Sequence, residues 1–324
     1  MFCSPKYDDG SVSCYDKKTL IKIAKQYNHY YSNKNSNSKN NKNSNSKNSN
    51  SKNKYNKIAY SNKNKKQLFN EIRKKMVKSC NNNEECWLDQ KFINIEEFKN
   101  SNNSANSNND LNNKSLYNSN GYYVGNKKNR IKNKFFRTKL PKKWKKDKNT
   151  WLTNFDIYNV MSQYEAKHKD FVFLGPVPSD CPMQVTCELS NLDLKKMLKM
   201  GKTKIGVIFN LDVSSGPGTH WVALYIDLKD CSIYYYDSYG LPPIRRIQKF
   251  INFLRKKCVV DLKKEFHFEY NKKRHQYGNS ECGVYSMFIL EQLLNGGDFK
   301  KVVAKKIPDK KMNELRFKKY FRVD

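Results

Sequence analysis

The stretch HWVALYIDLKDCSIYYYD, residues 220 to 237, decides the fold. Apolar side chains alternate in both halves of this stretch, and a period of two predicts two strands, the first of them half-buried. A turn near Lys229–Asp230 joins the strands as an antiparallel hairpin. Because the position of the turn fixes which residues pair, His220 lies opposite a residue between 237 and 239. The register therefore predicts a side-chain contact between His220 and Asp237 at one end of a sheet.

A second stretch, NKKRHQYGNSECGVYSMFIL from Asn271 to Leu290, supplies a thiol. Cys282 stands where a polar loop becomes an apolar helix, and the dipole and free N–H groups of a helix N-terminus favour the thiolate. Gly283 allows backbone N–H groups to approach an oxyanion. The side-chain amide of Gln276 can donate to the same oxyanion.

Together these residues form a complete set for acyl transfer from an amide. Cys282 is the predicted nucleophile, His220 the general base, Asp237 the carboxylate that orients it and Gln276 the oxyanion donor. Each residue taken singly has a structural explanation, and a cysteine at a loop–helix junction is more often structural than catalytic. The joint order of histidine, aspartate, glutamine and Cys-Gly is much less easily accidental, so the sequence predicts a catalytic site.

The chain resembles the ubiquitin-like-protein-specific cysteine peptidases of clan CE on the blocks GTHWVALYID, YYYDSYG and QYGNSECGVYSMFIL. That clan includes SUMO-removing proteases and virion-maturation proteases of large DNA viruses, and the segment DVSSGPGTHWVALYID is most similar to its asfarvirus and mimivirus-like members. The resemblance covers roughly residues 127–324. It implies the same four roles for His220, Asp237, Gln276 and Cys282, and no required cofactor.

The resemblance also extends to a possible substrate channel. The segment WLTNFDI, Trp151–Ile157, is similar to the block that opens the peptidase domain of that clan. This implies that Trp151 and Trp221 flank a narrow channel that accepts a small P1–P2 pair, typically Gly-Gly. Core packing explains the two tryptophans equally well, so both interpretations stay open.

The predicted fold class is α+β, with a mixed central sheet flanked by helices. The resemblance implies a papain-like cysteine peptidase core of the SUMO-protease type, here with an N-terminal helical arm. Strands are predicted at residues 204–213, 220–228, 231–237 and 265–271. Helices are predicted over Asp16–Tyr30, Lys66–Cys80, Pro242–Cys258 and Cys282–Leu294.

Composition divides the chain into five segments. Residues 1–30 and 66–99 are helical arm segments, and residues 122–324 form the peptidase domain. The Asn/Ser/Lys tract at residues 31–65 and the linker at residues 100–121 contain few apolar side chains. Because such segments cannot bury enough apolar surface to offset the entropy of ordering, both are expected to be disordered.

The formal net charge of +33 favours anionic partners such as nucleic acid. The segment PKKWKKDKN at residues 141–149 is the strongest candidate patch, through its side chains Lys142, Lys143, Lys145 and Lys146. DNA as an activator or scaffold is one interpretation. A coding bias toward lysine and asparagine explains the charge nearly as well, and a solvated linker explains the segment.

The nine cysteines are expected to be reduced thiols, because the chain shows neither a signal peptide nor an apolar run long enough to span a membrane. Spacing leaves open whether Cys3 pairs with Cys14 and whether Cys80 pairs with Cys86. No metal site is predicted, since the histidines do not cluster with cysteines. The expected location is the virion and the host cytoplasm, without secretion.

The expected function is that of a cysteine endopeptidase that cleaves viral core and capsid precursors after small residues during virion maturation. Within the same chemistry, a deSUMOylase or deubiquitinase acting on host conjugates remains an alternative. A different class is a nucleic-acid-binding virion core protein on a relic fold. The intact set of His220, Asp237, Gln276 and Cys282 argues against the relic.

Overall fold

The protein is described as a computed structural model that covers residues 2–8, 10–40, 56–98, 127–141, 144, 146–147 and 149–322. The chain divides into a unit that ends at Phe136 and a second unit that begins at Arg137. The predicted peptidase domain starts at residue 122, but the helix Lys127–Phe135 packs within the first unit. Most of the predicted Asn/Ser/Lys tract, at residues 41–55, and the whole predicted linker, at residues 100–121, lie outside the described residues.

In its described residues, the first unit contains three helices and two short 3₁₀ turns. They are α1 (Lys17–Asn40), α2 (Lys65–Cys80), the turns Glu85–Asp89 and Ile95–Phe98, and α3 (Lys127–Phe135). Apolar faces of these helices form one core, in which Ile23, Ile72 and Trp87 are almost fully buried.

Two parts of the predicted disordered tract are ordered instead. Helix α1 continues past the predicted end at Tyr30, because Tyr31 packs on Tyr27 with ring centroids 4.6 Å apart and the polar residues that follow cost a helix only a few tenths of a kcal/mol each. Ile58 is 1% exposed, and its backbone N–H and C=O both bond to the side chain of Asn28. A composition average could not reveal these two anchors.

Three cysteine pairs are disulfides, which corrects the expectation of reduced thiols. Cys3 bonds to Cys14, Cys80 to Cys86 and Cys181 to Cys187, with Cα atoms 5.0, 5.5 and 5.5 Å apart. In the last two pairs a short turn separates the partners, and that turn brings their Cα atoms into the range a disulfide requires. Among the described residues the free cysteines are Cys231, Cys258 and Cys282.

The second unit is α+β, as predicted. Its first elements are β1 (Thr138–Lys139), α4 (Asn154–Lys167), β2 (Phe171–Phe173), β3 (Val177–Pro178), α5 (Leu194–Lys199) and β4 (Lys204–Asn210). Then follow β5 (Trp221–Asp227), β6 (Ser232–Tyr236), α6 (Arg245–Leu262), β7 (His267–Tyr270), α7 (Cys282–Leu294), α8 (Phe299–Ala304), α9 (Asp309–Leu315) and β8 (Phe321–Arg322).

The central sheet is mixed. Its strand order is β2-β4-β5-β6-β7, with β3 also pairing with β4, and β1 and β8 form a separate parallel pair. The three strands β4, β5 and β6 run antiparallel to their neighbours in this group, whereas β2 and β7 add in parallel at the edges. This arrangement confirms the predicted mixed sheet.

Helices cover both faces of the sheet. Trp221, Ala223 and Tyr225 of β5 belong to the core that contains α7, and the intervening residues belong to the core that contains α6. Every residue of β5 is therefore buried, and the prediction of a half-buried strand was wrong. Among the helices of the described residues, none is long and apolar enough to span a membrane.

Candidate active site

The hairpin of β5 and β6 brings His220 and Asp237 together. Ala223 pairs with Tyr236, and the same register continued to the end of the hairpin places His220 opposite Tyr239. Nε2 of His220 lies 2.7 Å from Oδ1 of Asp237. The two side chains are almost fully enclosed, since His220 is 8% exposed and Asp237 is 1% exposed. The contact holds one nitrogen of the imidazole and leaves Nδ1 for a second partner.

Asp237 is held in place by its neighbours on the adjoining loops. The backbone N–H of Tyr239 donates to Oδ1 of Asp237 at 2.8 Å. Asn271, which is 1% exposed and follows β7, binds the backbone of Asp237 twice. Its Oδ1 accepts from the Asp237 N–H at 2.9 Å, and its Nδ2 donates to the Asp237 carbonyl at 2.7 Å. Asn271 therefore fixes the position of the carboxylate that orients His220.

Cys282 is the second partner of His220. It is the first residue of α7 and is 3% exposed. Burial by itself lowers the pKa of His220, but the hydrogen bond to Asp237 and the interactions with the Cys282 side chain and the Asp237 charge outweigh burial and raise the pKa to about 9. An imidazolium that persists near neutral pH stabilises an adjacent thiolate.

The start of α7 is open to an anion. Glu281 occupies the N-cap position but makes no capping bond to the helix. Its carboxylate accepts instead from the Ser280 hydroxyl at 2.7 Å and from Nδ2 of Asn313 at 2.9 Å. The Glu281 carboxylate is therefore bound by Ser280 and Asn313 and does not cap the N-terminal N–H groups of α7.

A buried guanidinium lies behind this loop. Arg316 is 0% exposed, and it donates to the carbonyl oxygens of Thr150 at 2.9 Å and Ser280 at 2.6 Å. Its charge also lies close enough to Glu281 and Cys282 for both to act on its pKa, which burial lowers overall. Arg316 thus links two segments of the chain. One precedes Trp151, and the other precedes Cys282.

Gln276, the predicted oxyanion donor, is buried and is held at both ends of its side-chain amide. The Ser238 hydroxyl donates to Oε1 of Gln276 at 2.6 Å, and the end of the amide that faces the Gly278 carbonyl is the N–H₂ group, because a carbonyl can only accept. Nε2 donates one hydrogen to the Gly278 carbonyl at 3.1 Å. The backbone N–H of Gln276 also donates to the Ser238 carbonyl at 2.9 Å. One amide hydrogen of this buried side chain remains for a ligand.

The two tryptophans stand in different environments. Trp221 is 8% exposed and packs in the core with α7, and its indole N–H donates to the Leu152 carbonyl at 3.0 Å. Trp151, the neighbour of Leu152, is 43% exposed. The Leu152 side chain lies only 3.0 Å from the point where a Cβ on Gly283 would stand. The segment that carries Trp151 therefore passes directly beside the nucleophile.

The structure adds residues that the sequence analysis did not name. The ring of Tyr239 stacks on that of His220, with centroids 4.5 Å apart and planes 11° apart. The hairpin register pointed to residue 239, so this partner was within reach of the sequence. Ser238, Asn271 and Arg316 gave no comparable signal, because each acts through a contact between distant loops.

The predicted lysine patch is only partly described. Lys142, Lys143 and Lys145 lie outside the described residues, and Lys146 is exposed. Trp144, within the same segment, is 1% exposed and packs on Phe321. The patch stays a prediction.

Buried Cys282, His220 and Asp237 on an α+β fold with a mixed sheet are the residues that a cysteine peptidase requires. The family described as "Ulp1 protease family, C-terminal catalytic domain" matches residues 193–324. A protein of Acanthamoeba polyphaga mimivirus that is named as a thiol protease is 30% identical over 99% of this chain and 93% of its own. The chain belongs to the Ulp1 protease family.

Two further comparisons agree with this membership. A cysteine protease of African swine fever virus is 26% identical over 51% of this chain and 66% of its own length. A crystal structure of an African swine fever virus protease superposes with a TM-score of 0.50 and 22% identity, over 60% of this chain and 76% of the other. The second comparison supports the fold alone.

Proposed function

We propose that this cysteine protease is an endopeptidase that cleaves viral core and capsid precursors after small residues during virion maturation. The contact of Nε2 of His220 with Asp237, together with Cys282 on the same imidazole, is the observation that carries the chemistry. The viral relatives support the setting. Maturation would take place in the virion and in the host cytoplasm.

The reaction begins with the Cys282 thiolate. Its sulfur attacks the carbonyl carbon of the scissile peptide, and the carbonyl oxygen becomes an oxyanion that accepts from Nε2 of Gln276 and from the backbone N–H groups at the start of α7. The His220 imidazolium then donates its proton to the departing amine, and a thioester to Cys282 remains.

Water completes the cycle. His220, now neutral, accepts a proton from a water molecule, whose oxygen attacks the thioester carbonyl. The carbon–sulfur bond breaks, the acid product leaves, and the thiolate–imidazolium pair returns. Asp237 keeps the imidazole in the correct orientation and stabilises its cationic form throughout, without itself taking the proton.

Preference for small residues is proposed from the surroundings of Leu152. This residue links the exposed Trp151 to the indole of Trp221 and lies against Gly283, so bulky groups border the approach to Cys282. A Gly-Gly pair would pass between the two tryptophans where larger side chains would not. The roles of Trp151 and Trp221 as channel walls belong to this proposal.

The test is cleavage of peptides that carry Gly-Gly-X and Ala-Gly-X, run beside SUMO and ubiquitin C-terminal probes. We expect cleavage after the second small residue, and its loss in Cys282→Ala and in His220→Ala. Cys231→Ala and His267→Ala are matched controls, because Cys231 lies at the opposite end of the hairpin and the His267 side chain is 60% exposed. Turnover by Cys282→Ala would overturn the assignment.

A host-directed deSUMOylase or deubiquitinase is the alternative, and the name "SUMO-1 cysteine protease" given to relatives from several African swine fever virus isolates supports keeping it. Both reactions use the same Cys282, so the two differ in substrate alone. Reaction with the SUMO or ubiquitin probes, without cleavage of the short peptides, would favour this alternative.

We also propose that DNA acts as a scaffold for the protease and its substrates, from the net charge of +33. The protein should bind duplex DNA without sequence preference, and its affinity should fall steeply as the salt concentration rises. Replacing Lys142, Lys143, Lys145 and Lys146 by Gln should lower both the affinity and the salt dependence. A mobility-shift titration that shows no binding at low salt would leave coding bias as the explanation.

A further inference from the structure

The aromatic stack on the catalytic histidine continues outward through charged residues. Beyond Tyr239, the guanidinium carbon of Arg274 lies 5.1 Å from the Tyr239 ring centroid and 4.9 Å from that of Tyr277. Nζ of Lys306 lies 4.5 Å from the Tyr277 centroid. We call the residues Tyr239, Arg274, Tyr277 and Lys306 the stacked ledge. It leads from the buried His220 to the protein surface.

The stacked ledge is anchored at several points. Nε of Arg274 donates to the Gln276 carbonyl at 2.8 Å, which fixes the plane of the guanidinium. The backbone N–H groups of Tyr277 and Gly278 both donate to Oδ2 of Asp309, at 3.0 and 2.8 Å. A cation held in this way loses little conformational freedom when a ligand binds.

The donors at the outer end of the stacked ledge are unused. Arg274, Tyr277 and Lys306 are exposed, and within the described ranges neither the Nη groups of Arg274 nor Nζ of Lys306 has a hydrogen-bond acceptor or an ion-pair partner. Asp309, an acid of the same loop region, is already taken by two backbone N–H groups and by the Tyr285 hydroxyl. The free Nη pair of a guanidinium matches the two oxygens of a carboxylate.

We propose that the stacked ledge is a subsite for an acidic side chain of the substrate polypeptide, close to the scissile bond. The distance from the His220 ring to the Arg274 guanidinium cannot exceed the sum of 4.5 and 5.1 Å. An extended peptide advances about 3.3 Å per residue, so the acid lies within about three residues of the cleaved bond. The proposal rests on the proposed protease function and adds an element of sequence specificity to it.

A carboxylate on a polypeptide is favoured over other anions because of this location. Whatever occupies the stacked ledge stands next to His220, where the polypeptide being cleaved must pass. Lys306 adds a second positive charge at the outer tyrosine, and the Arg274 plane offers two parallel donors. These features fit an aspartate or glutamate side chain, which brings its charge on a short stem.

The test uses pairs of otherwise identical Gly-Gly peptides with Glu or Gln at one position, scanned over three residues on each side of the scissile bond. At one position the kcat/KM of the full-length protein should be about fivefold higher for the Glu peptide than for the Gln peptide, mainly because KM is lower. This preference should decrease at high salt. Arg274→Ala should reduce this preference to near one, and Arg274→Lys should keep part of it. Lys256→Ala, an exposed lysine of α6, is the matched control and should keep all of it.

Each preference is the ratio of kcat/KM for the Glu peptide to that for the Gln peptide, measured with one protein. A lower fraction of active enzyme in a variant therefore does not change it. A wild-type protein that cleaves the peptides without any Glu preference, or an Arg274→Ala variant that keeps the preference, would overturn the subsite while leaving the protease function intact. Absence of any peptide cleavage by the wild-type protein would instead remove the function and the subsite with it.

Discussion

The Ser238 hydroxyl donates to Oε1 of Gln276 at 2.6 Å and holds the oxygen end of the amide, while the Gly278 carbonyl accepts from the N–H₂ end. Ser238 stands between Asp237, which binds His220, and Tyr239, which stacks on His220. Three consecutive residues after β6 therefore contact both the predicted general base, His220, and the predicted oxyanion donor, Gln276. A shift of this short segment would disturb both at once.

Ser238→Ala should lower kcat about tenfold with little change in KM, because the freed amide can rotate its oxygen toward the developing oxyanion. Gln276→Ala removes the donor itself and should cost about a hundredfold or more. In the double variant the two losses should not add, since Ser238 acts through Gln276. Ser232→Ala, at the other end of β6, is the matched control. Additive losses would contradict the positioning role.

Asp237→Asn should reduce turnover without abolishing it and should move the alkaline limb of the activity profile to lower pH. The pKa of His220 is raised from about 6.5 to about 9 by its partners, so the imidazolium and the stability it provides are fully present below about pH 6.5. Both are lost as pH rises through about 9. The variant loses the part of this increase that the Asp237 charge supplies, so its stability should change less over that window, which urea unfolding at several pH values measures. An unchanged alkaline limb would contradict the prediction.

Gly283→Ala should impair catalysis more than folding. The added Cβ would stand 3.0 to 3.1 Å from Leu152 atoms, so Leu152 must shift together with the carbonyl that binds Trp221. Overpacking of this kind costs about 1–3 kcal/mol, while misplacement beside the nucleophile should lower kcat/KM roughly tenfold or more. Ser286→Ala, one turn further along α7, serves as the control. If Gly283→Ala had the same kcat/KM as the wild type, Leu152 would move aside without disturbing the site, and the prediction would be wrong.

Arg316→Met should destabilise the protein by roughly 3–5 kcal/mol, because it leaves the Thr150 and Ser280 carbonyls and the buried Glu281 without their cation. Arg316→Lys keeps the charge but not the planar set of donors, and its stability should lie between those of the wild type and Arg316→Met. Arg255→Met on the exposed side of α6 is the control. The free energy of unfolding in urea is the measurement, and equal stability of Arg316→Met and wild type would refute the role.

A chain that starts at Arg137 should be soluble and should cleave short peptides, whereas one that starts at residue 122 should aggregate. The difference arises from α3, because Ile131, Phe135 and Phe136 are at most 7% exposed within the first unit and would be uncovered without it. Cleavage of a large precursor should weaken on removal of the first unit. Soluble yield and peptide turnover measure the outcome, and insolubility of the shorter chain would place the boundary elsewhere.

The contact between His220 and Asp237 was predictable because it depends on local geometry. A tight hairpin leaves little freedom of register, so the turn near Lys229–Asp230 was enough to bring His220 to Asp237. The start of α7 at Cys282 was likewise predictable, since a polar loop meets an uninterrupted apolar helix there. The fold class followed from the same strands and helices.

The remaining parts depend on contacts between segments far apart in sequence. Arg316 is one basic residue in a basic tail, and only the folded chain shows that it is fully buried. Burial of the second face of β5 could not be predicted, because it depends on α7, which covers that face only in the folded chain. The pairing of Cys181 with Cys187 was missed for another reason, because reduced thiols were expected although these residues are separated by the same interval as Cys80 and Cys86.

The links from the last helices to the nucleophile loop have a consequence for timing during synthesis. His220 and Asp237 lie in one hairpin and can meet as soon as that hairpin leaves the ribosome. The loop before Cys282 is held by Asp309, Asn313 and Arg316, which are translated later. We therefore expect a nascent chain to form the His220–Asp237 contact first and to anchor the loop before Cys282 only after residue 316 has emerged. The order of the chain would then delay peptide cleavage until α9 and the residues after it have been translated.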